Sequence, residues 1–129
     1  MQKLKYTGLS MPAGLANVSA AGVVSNTLTA TGTSSQSGSY AITEDVSIFT
    51  SAPANSGARL PLAGSPGEGP TQGDVFFITN GDANTMLVYP PAGGKLNFGT
   101  ANASYSLTTL KTSMWICVDG TNYIGGSLS

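Results

Sequence analysis

The sequence predicts an all-β fold, and three features of the chain point that way. Only 9% of the 129 residues are charged, whereas 55 positions are Ser, Thr, Gly or Pro. Helices in water usually carry Glu, Lys, Arg and Ala on their outer faces, and five Lys and Arg with six Asp and Glu cannot supply many such faces. Short runs of alternating apolar and polar residues recur at spacings of about ten residues. Together these features favour a small domain of the β-sandwich, jelly-roll-like or barrel type.

The same composition narrows the classes of function. The formal net charge of −1 provides no electrostatic footprint for nucleic acid or for an anionic membrane. The chain has no His, which is the commonest general base and zinc ligand, and its single Cys cannot form an intrachain disulfide. No apolar run approaches the ~20 residues that span a bilayer. We therefore expect a protein that is not an enzyme, that uses no cofactor or metal, and that binds neither nucleic acid nor membrane.

Residues 1–39 predict an extended N-terminal arm, because they hold few large apolar side chains and bury too little area to fold alone. Residues 20–24 and 27–31 predict short strands within it, and the Gly- and Ser-rich residues 32–39 predict a flexible link. Two arrangements remain open: the arm becomes ordered against a partner, or it lies across its own domain. The arm residues expected to bind a partner are Lys3, Tyr6, Leu9 and Met11.

Residues 40–129 predict the folded β domain. A patchy alternation of apolar and polar residues over 40–50 is typical of a strand, and residues 59–62 predict a short extended piece. Pro61 confines that piece to a sheet edge or a strand end. Four Gly and two Pro among residues 64–73 predict a loop.

The clearest strand pattern lies C-terminal to this loop. The largely apolar residues 74–79 and Met86–Tyr89 flank residues 80–84, which are rich in Asn, Asp and Gly and therefore suit a tight turn. This pattern predicts that the two strands pair with each other as a β-hairpin.

Further short strands follow. Residues 95–98 predict a strand, and residues 104–108 alternate apolar and polar side chains. Residues 114–118 predict a strong strand, which a turn at 119–122 joins to residues 123–125. Because no repeat of fixed period is visible, the pattern disfavours propellers and solenoids.

The carboxylates do not suggest a catalytic pair. Asp82 and Asp119 lie in predicted turns, where Asp accepts hydrogen bonds from backbone amides. Glu44 and Asp45 are adjacent and would point to opposite faces of a strand. Residues 80–84 are similar to part of a calcium loop but lack the later Glu of an EF-hand, so a turn is favoured.

Cys117 and the aromatic residues have both structural and functional interpretations. Cys117 shares a strand face with Trp115, which favours a small packed side chain over a reactive thiol. A face of exposed aromatic rings would bind carbohydrate, but in a chain with only ten aromatic residues most are expected in the core. The candidates for such a face are Tyr89, Tyr105, Trp115 and Tyr123.

A progression of strand and turn residues runs through the C-terminal half. It begins at residues 59–61, continues through residues 73–97 with their Asn-Gly turn and Val-Tyr-Pro segment, and includes Asn102-Ala103, Trp115 and the Asp119-Gly120 turn. Over roughly residues 40–125 this progression resembles a β module of tailed-phage virion proteins, cyanophage-like ones among them. The chain departs from that module at Leu96, where Ile is more usual, and in its long Gly-rich loop.

The resemblance implies a viral structural protein without catalytic residues. In its first form this is a capsid decoration (cement) protein, a homotrimer that binds the major capsid protein on the outer capsid surface and stabilises the head. Its location is then the virion, after assembly in the host cytoplasm. The alternative is a tail or fibre component that binds a host receptor or glycan. The absence of a stalk, collagen-like or coiled-coil segment from this sequence favours decoration.

Overall fold

The computed structural model describes residues 24–62 and 70–128. These residues form nine strands and no helix, and none of them belongs to a helix that could cross a membrane. The strands are Val24–Thr29 (β1), Tyr40–Ala41 (β2), Val46–Ser51 (β3), Gly57–Arg59 (β4), Val75–Asn80 (β5), Met86–Tyr89 (β6), Tyr105–Leu107 (β7), Lys111–Cys117 (β8) and Tyr123–Ser127 (β9).

The nine strands form two sheets that pack face to face. One sheet has the order β1-β3-β5-β8-β9 and the other the order β2-β4-β6-β7. Phe49 and Trp115 from the first sheet meet Val88 and Leu107 from the second in one buried cluster. The predictions of an all-β fold and of a sandwich are therefore confirmed. The barrel alternative is wrong, because each sheet ends in two edge strands and does not close on itself.

The first six strands alternate between the two sheets. Each strand from β3 to β6 pairs in parallel with the strand two before it, so the chain winds from one sheet to the other and back. The strands β1, β3 and β5 begin at Val24, Val46 and Val75, which are separated by 22 and 29 residues. Because the number of residues from one of these strands to the next differs, the winding path has no fixed period in the sequence.

The last three strands run antiparallel to their neighbours. β7 pairs with β6, while β8 pairs with β5 and then with β9. The predicted hairpin at residues 114–125 is confirmed as β8 and β9. Gly125 is required in β9, because a Cβ at this position would lie 1.8 Å from the carbonyl oxygen of Met114.

The predicted hairpin of β5 and β6 is wrong. β5 lies in the five-stranded sheet between β3 and β8, whereas β6 lies in the other sheet between β4 and β7. The connection at residues 81–85 is therefore a crossover between sheets. The buried side chain of Asn80 anchors it: its Nδ2 donates to the carbonyls of Asn84 (2.8 Å) and Leu107 (3.0 Å), and its Oδ1 accepts from the N–H of Asp82 (3.0 Å).

Residues 24–39 belong to the sandwich, so this part of the predicted arm lies against its own domain, and β1 overlaps the short strand predicted at residues 27–31. β1 is an edge strand of the five-stranded sheet, and the buried Ala30 donates its N–H to the carbonyl of Ser51 (2.9 Å). Residues 32–39 are not a flexible link but a crossover held by long-range bonds, such as that from the N–H of Ser34 to the carbonyl of Asn55 (2.8 Å). Residues 1–23 lie outside the described residues.

The predicted strand at residues 95–98 is also wrong. Leu96 makes only a single bridge, with Tyr123, and the chain then turns. Asn97 (φ 53°) and Phe98 (φ 61°) both lie in the left-handed region, and the N–H of Gly99 donates to the carbonyl of Leu96 (2.9 Å). This is the geometry of a type I′ turn.

The outer edge of β9 is closed by side chains and by the Leu96 turn. The side-chain amide of Asn97 imitates a strand residue, because its Nδ2 donates to the carbonyl of Gly125 (3.0 Å) and its Oδ1 accepts the N–H of Gly125 (2.9 Å). The hydroxyl of Tyr105 accepts the N–H of Ser127 (2.9 Å). Groups that would otherwise pair with another chain are thus already bonded.

The other three edge strands are blunted in different ways. β2 has two residues and β7 has three, so neither offers a long row of free backbone groups. In β1 the register with β3 shifts between Ser25 and Leu28, and Thr27 lies in the left-handed region (φ 61°). A bulge of this kind bends an edge away from strand addition.

Candidate functional site at one end of the sandwich

The arm residues Lys3, Tyr6, Leu9 and Met11 lie outside the described residues. The structure does define where their segment joins the body. Val24, the first residue of β1, is 56% exposed and pairs with Val46 at the start of β3.

Two cavities open at the same end of the sandwich as Val24. The strands β2, β4 and β6 are parallel, so they end together there, and the chain returns from that end into β3 and β5. We call this the pocket end. Both cavities are lined by Ile42, which follows β2, and by Pro61, which lies just beyond β4.

The first cavity, the acidic cavity, has a volume of about 370 Å³, and two acidic residues are part of its lining. Asp45 directly precedes β3 and Asp74 directly precedes β5. Because β3 and β5 are parallel neighbours, both residues fall at the same end of the sheet. Thr43 adds a hydroxyl, and the remaining walls are apolar: Ile42, Pro61, Pro70 and Phe76.

The backbone fixes Asp74 in the wall of the acidic cavity. Asp74 is only 5% exposed, and its Oδ2 accepts the N–H of Thr71 (2.9 Å). Its own N–H donates to the carbonyl of Thr71 (3.0 Å), and its carbonyl accepts the N–H of Cys117 (2.8 Å). The Asp74 carboxylate is therefore fixed by a hydrogen bond from the backbone.

The second cavity, the apolar cavity, has a volume of about 410 Å³. The guanidinium of Arg59 lies in its wall and donates to the carbonyls of Ser37 and Ser39, so it ties the first crossover to β4. Gln36 donates from Nε2 to the carbonyl of Pro90 (3.0 Å) across the same cavity. The other lining residues are mostly apolar: Ser37, Ala41, Ile42, Leu60, Pro61, Leu62, Pro91 and Ala92.

Tyr123 fixes the wall that the two cavities share. Its hydroxyl donates to the carbonyl of Pro61 (2.6 Å), and its ring packs edge-to-face on Phe76 with ring centroids 6.0 Å apart. Burial, the largest cause, raises the pKa of Tyr123 far above its ordinary value of 10.0. The hydroxyl therefore stays a hydrogen-bond donor throughout the physiological pH range.

Cys117 is a packed core side chain, as the strand alternation predicts. It is 1% exposed on the same face as Trp115, and its Sγ donates to the carbonyl of Asp119 (2.8 Å). Burial raises the pKa of the Cys117 thiol, and the nearby Asp74 and Asp119 carboxylates add to that rise. A thiol of this kind is a poor nucleophile.

Asp82 and Asp119 accept backbone hydrogen bonds in turns, as the sequence predicts. Asp119 Oδ1 accepts the N–H groups of Thr121 (2.9 Å) and Asn122 (3.0 Å). Asp82 Oδ2 accepts the N–H of Ala52 (2.6 Å) from a different crossover. These bonds lower the pKa of both carboxyl groups.

The side chains of the calcium-like segment at residues 80–84 bond to backbone groups of the protein. Asn80 and Asp82 make the contacts described above, and Asn84 Nδ2 donates to the carbonyl of Ala52 (3.0 Å). Among the described residues, no three His, Cys, Asp or Glu side chains cluster as metal ligands would.

The aromatic residues considered for a carbohydrate-binding face lie in or against the core. Trp115 and Tyr123 are fully buried, Tyr89 is nearly so, and Tyr105 packs edge-to-face on Trp115 with ring centroids 5.2 Å apart. These side chains lie on the inward-facing sides of their strands, so they cannot form an exposed carbohydrate-binding face. Within residues 24–62 and 70–128, the exposed aromatic side chain is Phe98, at 78%.

The pocket end brings into one cavity acidic residues that are far apart in the sequence. Asp45 and Asp74 are 29 residues apart in the sequence, but the parallel pairing of β3 and β5 places both in the lining of one cavity. The signal that identifies them is the equivalent position of each, immediately before a strand of the same sheet. A predicted β5–β6 hairpin conceals that signal, because it assigns β5 the wrong neighbour.

The fold and this end define an all-β protein of the two-sheet sandwich class with a paired acidic and apolar cavity. Comparison of the chain with protein-family models, curated proteins and solved structures finds no match.

Proposed function

We propose that this chain is a capsid decoration protein, a non-enzymatic virion component that binds the major capsid protein on the outer surface of the head and acts as a homotrimer. The observation that supports the proposal most is the junction of arm and body. The N-terminal segment joins a packed sandwich at the exposed Val24, beside the cavities of the pocket end. The resemblance of residues 40–125 to a β module of tailed-phage virion proteins is the reason for proposing a virion component.

The blunted sheet edges support binding through the arm. A sandwich can attach to a coat protein by adding a strand, but the long edges here are closed by Asn97 or distorted at Thr27. We therefore expect attachment through side-chain contacts rather than through strand addition. Tyr6, Leu9 and Met11 are the large apolar groups of the arm proposed to serve as its anchors, with Lys3 beside them.

The composition of the body also suits a surface that is covered on assembly. Lys and Glu are depleted at the centres of protein interfaces. The described residues contain two Lys, Lys95 and Lys111, and one Glu, Glu44. A body of this kind loses little charge solvation when neighbours cover it.

Deletion of residues 2–12 tests the proposal. The shortened chain should no longer cosediment with capsids that lack this protein, and its thermal unfolding should match that of the full chain, because it keeps every described strand of the sandwich. A finer variant, Tyr6→Ala with Leu9→Ala, should weaken capsid affinity by about a hundredfold, since each lost anchor costs over 1 kcal/mol.

The matched control for the anchors is Leu128→Ala, because Leu128 is an exposed leucine of the body. This change should leave capsid affinity unchanged. Saturation of capsids by the shortened chain at the affinity of the full chain would show that the arm is not the anchor.

One observation favours a second candidate, a tail or fibre component that binds a receptor or glycan. Phe98 is held on a type I′ turn with its ring exposed, and aromatic rings stack on sugars. A glycan array that gives hits with the full chain, and loses them with Phe98→Ala, would support this function over decoration.

A further inference from the structure

The strand β5 ends in an Asn-Gly pair, Asn80 and Gly81, and the sequence contains no other such pair. In an unfolded chain an Asn that precedes Gly deamidates faster than an Asn before any other residue, because Gly has no side chain to hinder its backbone nitrogen. Asparagine is one of the thermolabile residues of proteins. This pair is therefore the Asn linkage of the chain that is most prone to deamidation.

Deamidation of this pair is an intramolecular reaction followed by hydrolysis. The backbone nitrogen of Gly81 gives up its proton and attacks Cγ of Asn80, so that an N–Cγ bond forms. The Cγ–Nδ2 bond breaks, and Nδ2 takes up a proton and leaves as ammonia. Water then opens the resulting succinimide at one of its two carbonyls and leaves either Asp or isoaspartate. The net change replaces an amide with a carboxyl group, and water is the co-reactant.

The fold occupies the nucleophile of this reaction. The N–H of Gly81 donates to the carbonyl of Phe49 on the neighbouring strand β3 (2.7 Å). A Cβ on Gly81 would lie 3.0 Å from the same carbonyl oxygen, so the two backbones are in close contact here. Loss of the N–H proton would place an anionic nitrogen against that oxygen and would break the hydrogen bond. The folded state therefore disfavours the first step of the reaction.

The fold also occupies the amide that would be attacked. Asn80 Nδ2 uses both of its N–H groups, on the carbonyls of Asn84 (2.8 Å) and Leu107 (3.0 Å). Asn80 Oδ1 accepts the N–H of Asp82 (3.0 Å), so the side chain is held from both of its polar atoms. Asn80 is also 0% exposed, so solvent water has no access to the amide or to a succinimide formed in its place.

We propose that Asn80 and Gly81 form a latent deamidation site, which the packed sandwich protects and which reacts only when residues 80–85 leave the core. The rate in the folded protein is then the rate of the open chain multiplied by the small fraction of molecules that are open. This modification site is separate from the capsid proposal and does not depend on it.

The modified chain closes less readily than the original chain. A carboxyl group offers at most one proton, whereas the amide donates two, so the product cannot satisfy the carbonyls of both Asn84 and Leu107. An ionised carboxylate would face these two carbonyl oxygens in a buried space. Isoaspartate would also lengthen the main chain by one carbon at the end of β5. Deamidation in the open state therefore limits the lifetime of the folded protein.

Peptide mapping by mass spectrometry measures this reaction in the full-length protein. Samples are kept in mildly alkaline buffer, with and without enough urea to unfold the chain. Deamidation of Asn80 should be at least about a hundredfold slower in the folded protein than in the unfolded protein. A peptide of residues 76–84, followed in the same two buffers, corrects for any direct effect of urea on the chemistry. A corrected ratio below about tenfold would overturn the proposal.

The variant Asn80→Asp reproduces the product without the reaction. It should lower the midpoint of thermal unfolding by about 10 °C or more, or prevent folding, because at least one buried carbonyl loses its donor.

The matched control is Asn102→Asp. Asn102 is exposed, and its Oδ1 accepts the N–H of Gly93 (2.7 Å), a role that a carboxylate keeps. This variant should unfold at the midpoint of the parent. Equal midpoints of Asn80→Asp and Asn102→Asp would contradict the impaired closure of the modified chain. Neither assay contains capsids, so failure of this proposal is distinct from failure of the decoration proposal.

Discussion

Individual polar side chains inside the sandwich differ in whether they have a partner. The hydroxyl of Ser113 donates to the carbonyl of Ile78 (3.2 Å) and accepts the indole N–H of Trp115 (2.8 Å). Ser47 is equally buried, yet its hydroxyl has no hydrogen-bond partner among the described residues. A buried polar group without a partner destabilises the folded state. The two serines therefore affect stability in opposite directions.

Replacement of these serines measures that difference. Ser47→Ala should raise the free energy of unfolding by about 1 kcal/mol, because it removes a buried hydroxyl that gives up its hydrogen bonds to water on folding and makes none within the described residues. Ser113→Ala should lower it by about 2 kcal/mol, because the Trp115 N–H is left without an acceptor. Urea unfolding of both variants checks this. A loss of stability in Ser47→Ala as large as that in Ser113→Ala would contradict it.

The pH dependence of stability follows from Asp82. Its carboxylate accepts the backbone N–H of Ala52 and of Ala83, and these bonds lower its pKa from 3.8. Because the pKa is lower in the folded state, ionised Asp82 stabilises the fold above pH 3.8, and this contribution disappears as the pH falls through the folded pKa.

We therefore expect Asp82→Asn to be less stable than the parent at neutral pH, with the difference shrinking as the pH is lowered below 3.8. Unfolding measured over a series of pH values provides the test. Asp119→Asn should behave in the same direction, because the N–H of Thr121 and two groups of Asn122 lower the Asp119 pKa. A difference that stays constant over the series would contradict the assignment.

At the scale of strands, the sheet edges determine how the sandwich meets other chains. The Asn97 amide closes β9, and its left-handed φ of 53° is a conformation that Asn tolerates better than most residues. The neighbouring Phe98 adopts a similar conformation with an exposed ring. Closure of an edge by a side chain keeps the backbone of Gly125 unavailable to a second copy.

Opening that edge should cause self-association. Asn97→Gly keeps the turn conformation but removes the amide, so the N–H and C=O of Gly125 are freed. In sedimentation velocity the variant should form species larger than those of the parent, increasing with concentration. Asn102→Gly is the control, since Asn102 is also left-handed (φ 63°) but bonds to Gly93 rather than to an edge strand. Identical sedimentation of the two variants would contradict a protective role for Asn97.

The two hairpin predictions show which pairings the sequence reveals. The β8–β9 pair was predictable because the Asp119 carboxylate accepts backbone N–H groups only two and three residues further along the chain, at Thr121 and Asn122. The β5–β6 pair was predicted wrongly from similar turn residues, because the Asn80 amide bonds to the carbonyl of Leu107, 27 residues away. Turn chemistry fixes where a chain bends, and a distant partner decides into which sheet it continues.

For the whole molecule, the fold class was predictable and the winding path was not. Low charge and alternating strands predict an all-β sandwich from local composition. Parallel pairing of β1, β3 and β5 depends on contacts between residues 21 or more positions apart and has no local signature. The acidic cavity could not be predicted for the same reason, since Asp45 and Asp74 line one cavity only through that pairing.

The proposed role unites the two parts of the chain: a packed sandwich with closed edges and an N-terminal segment that carries Tyr6, Leu9 and Met11. Electron cryo-microscopy of particles with and without this chain tests that role most directly. We expect the difference density to lie on the outer surface of the head, with the pocket end and its Val24 directed toward the coat. Difference density on the tail, or none on the head, would contradict the assignment of this chain as a decoration protein.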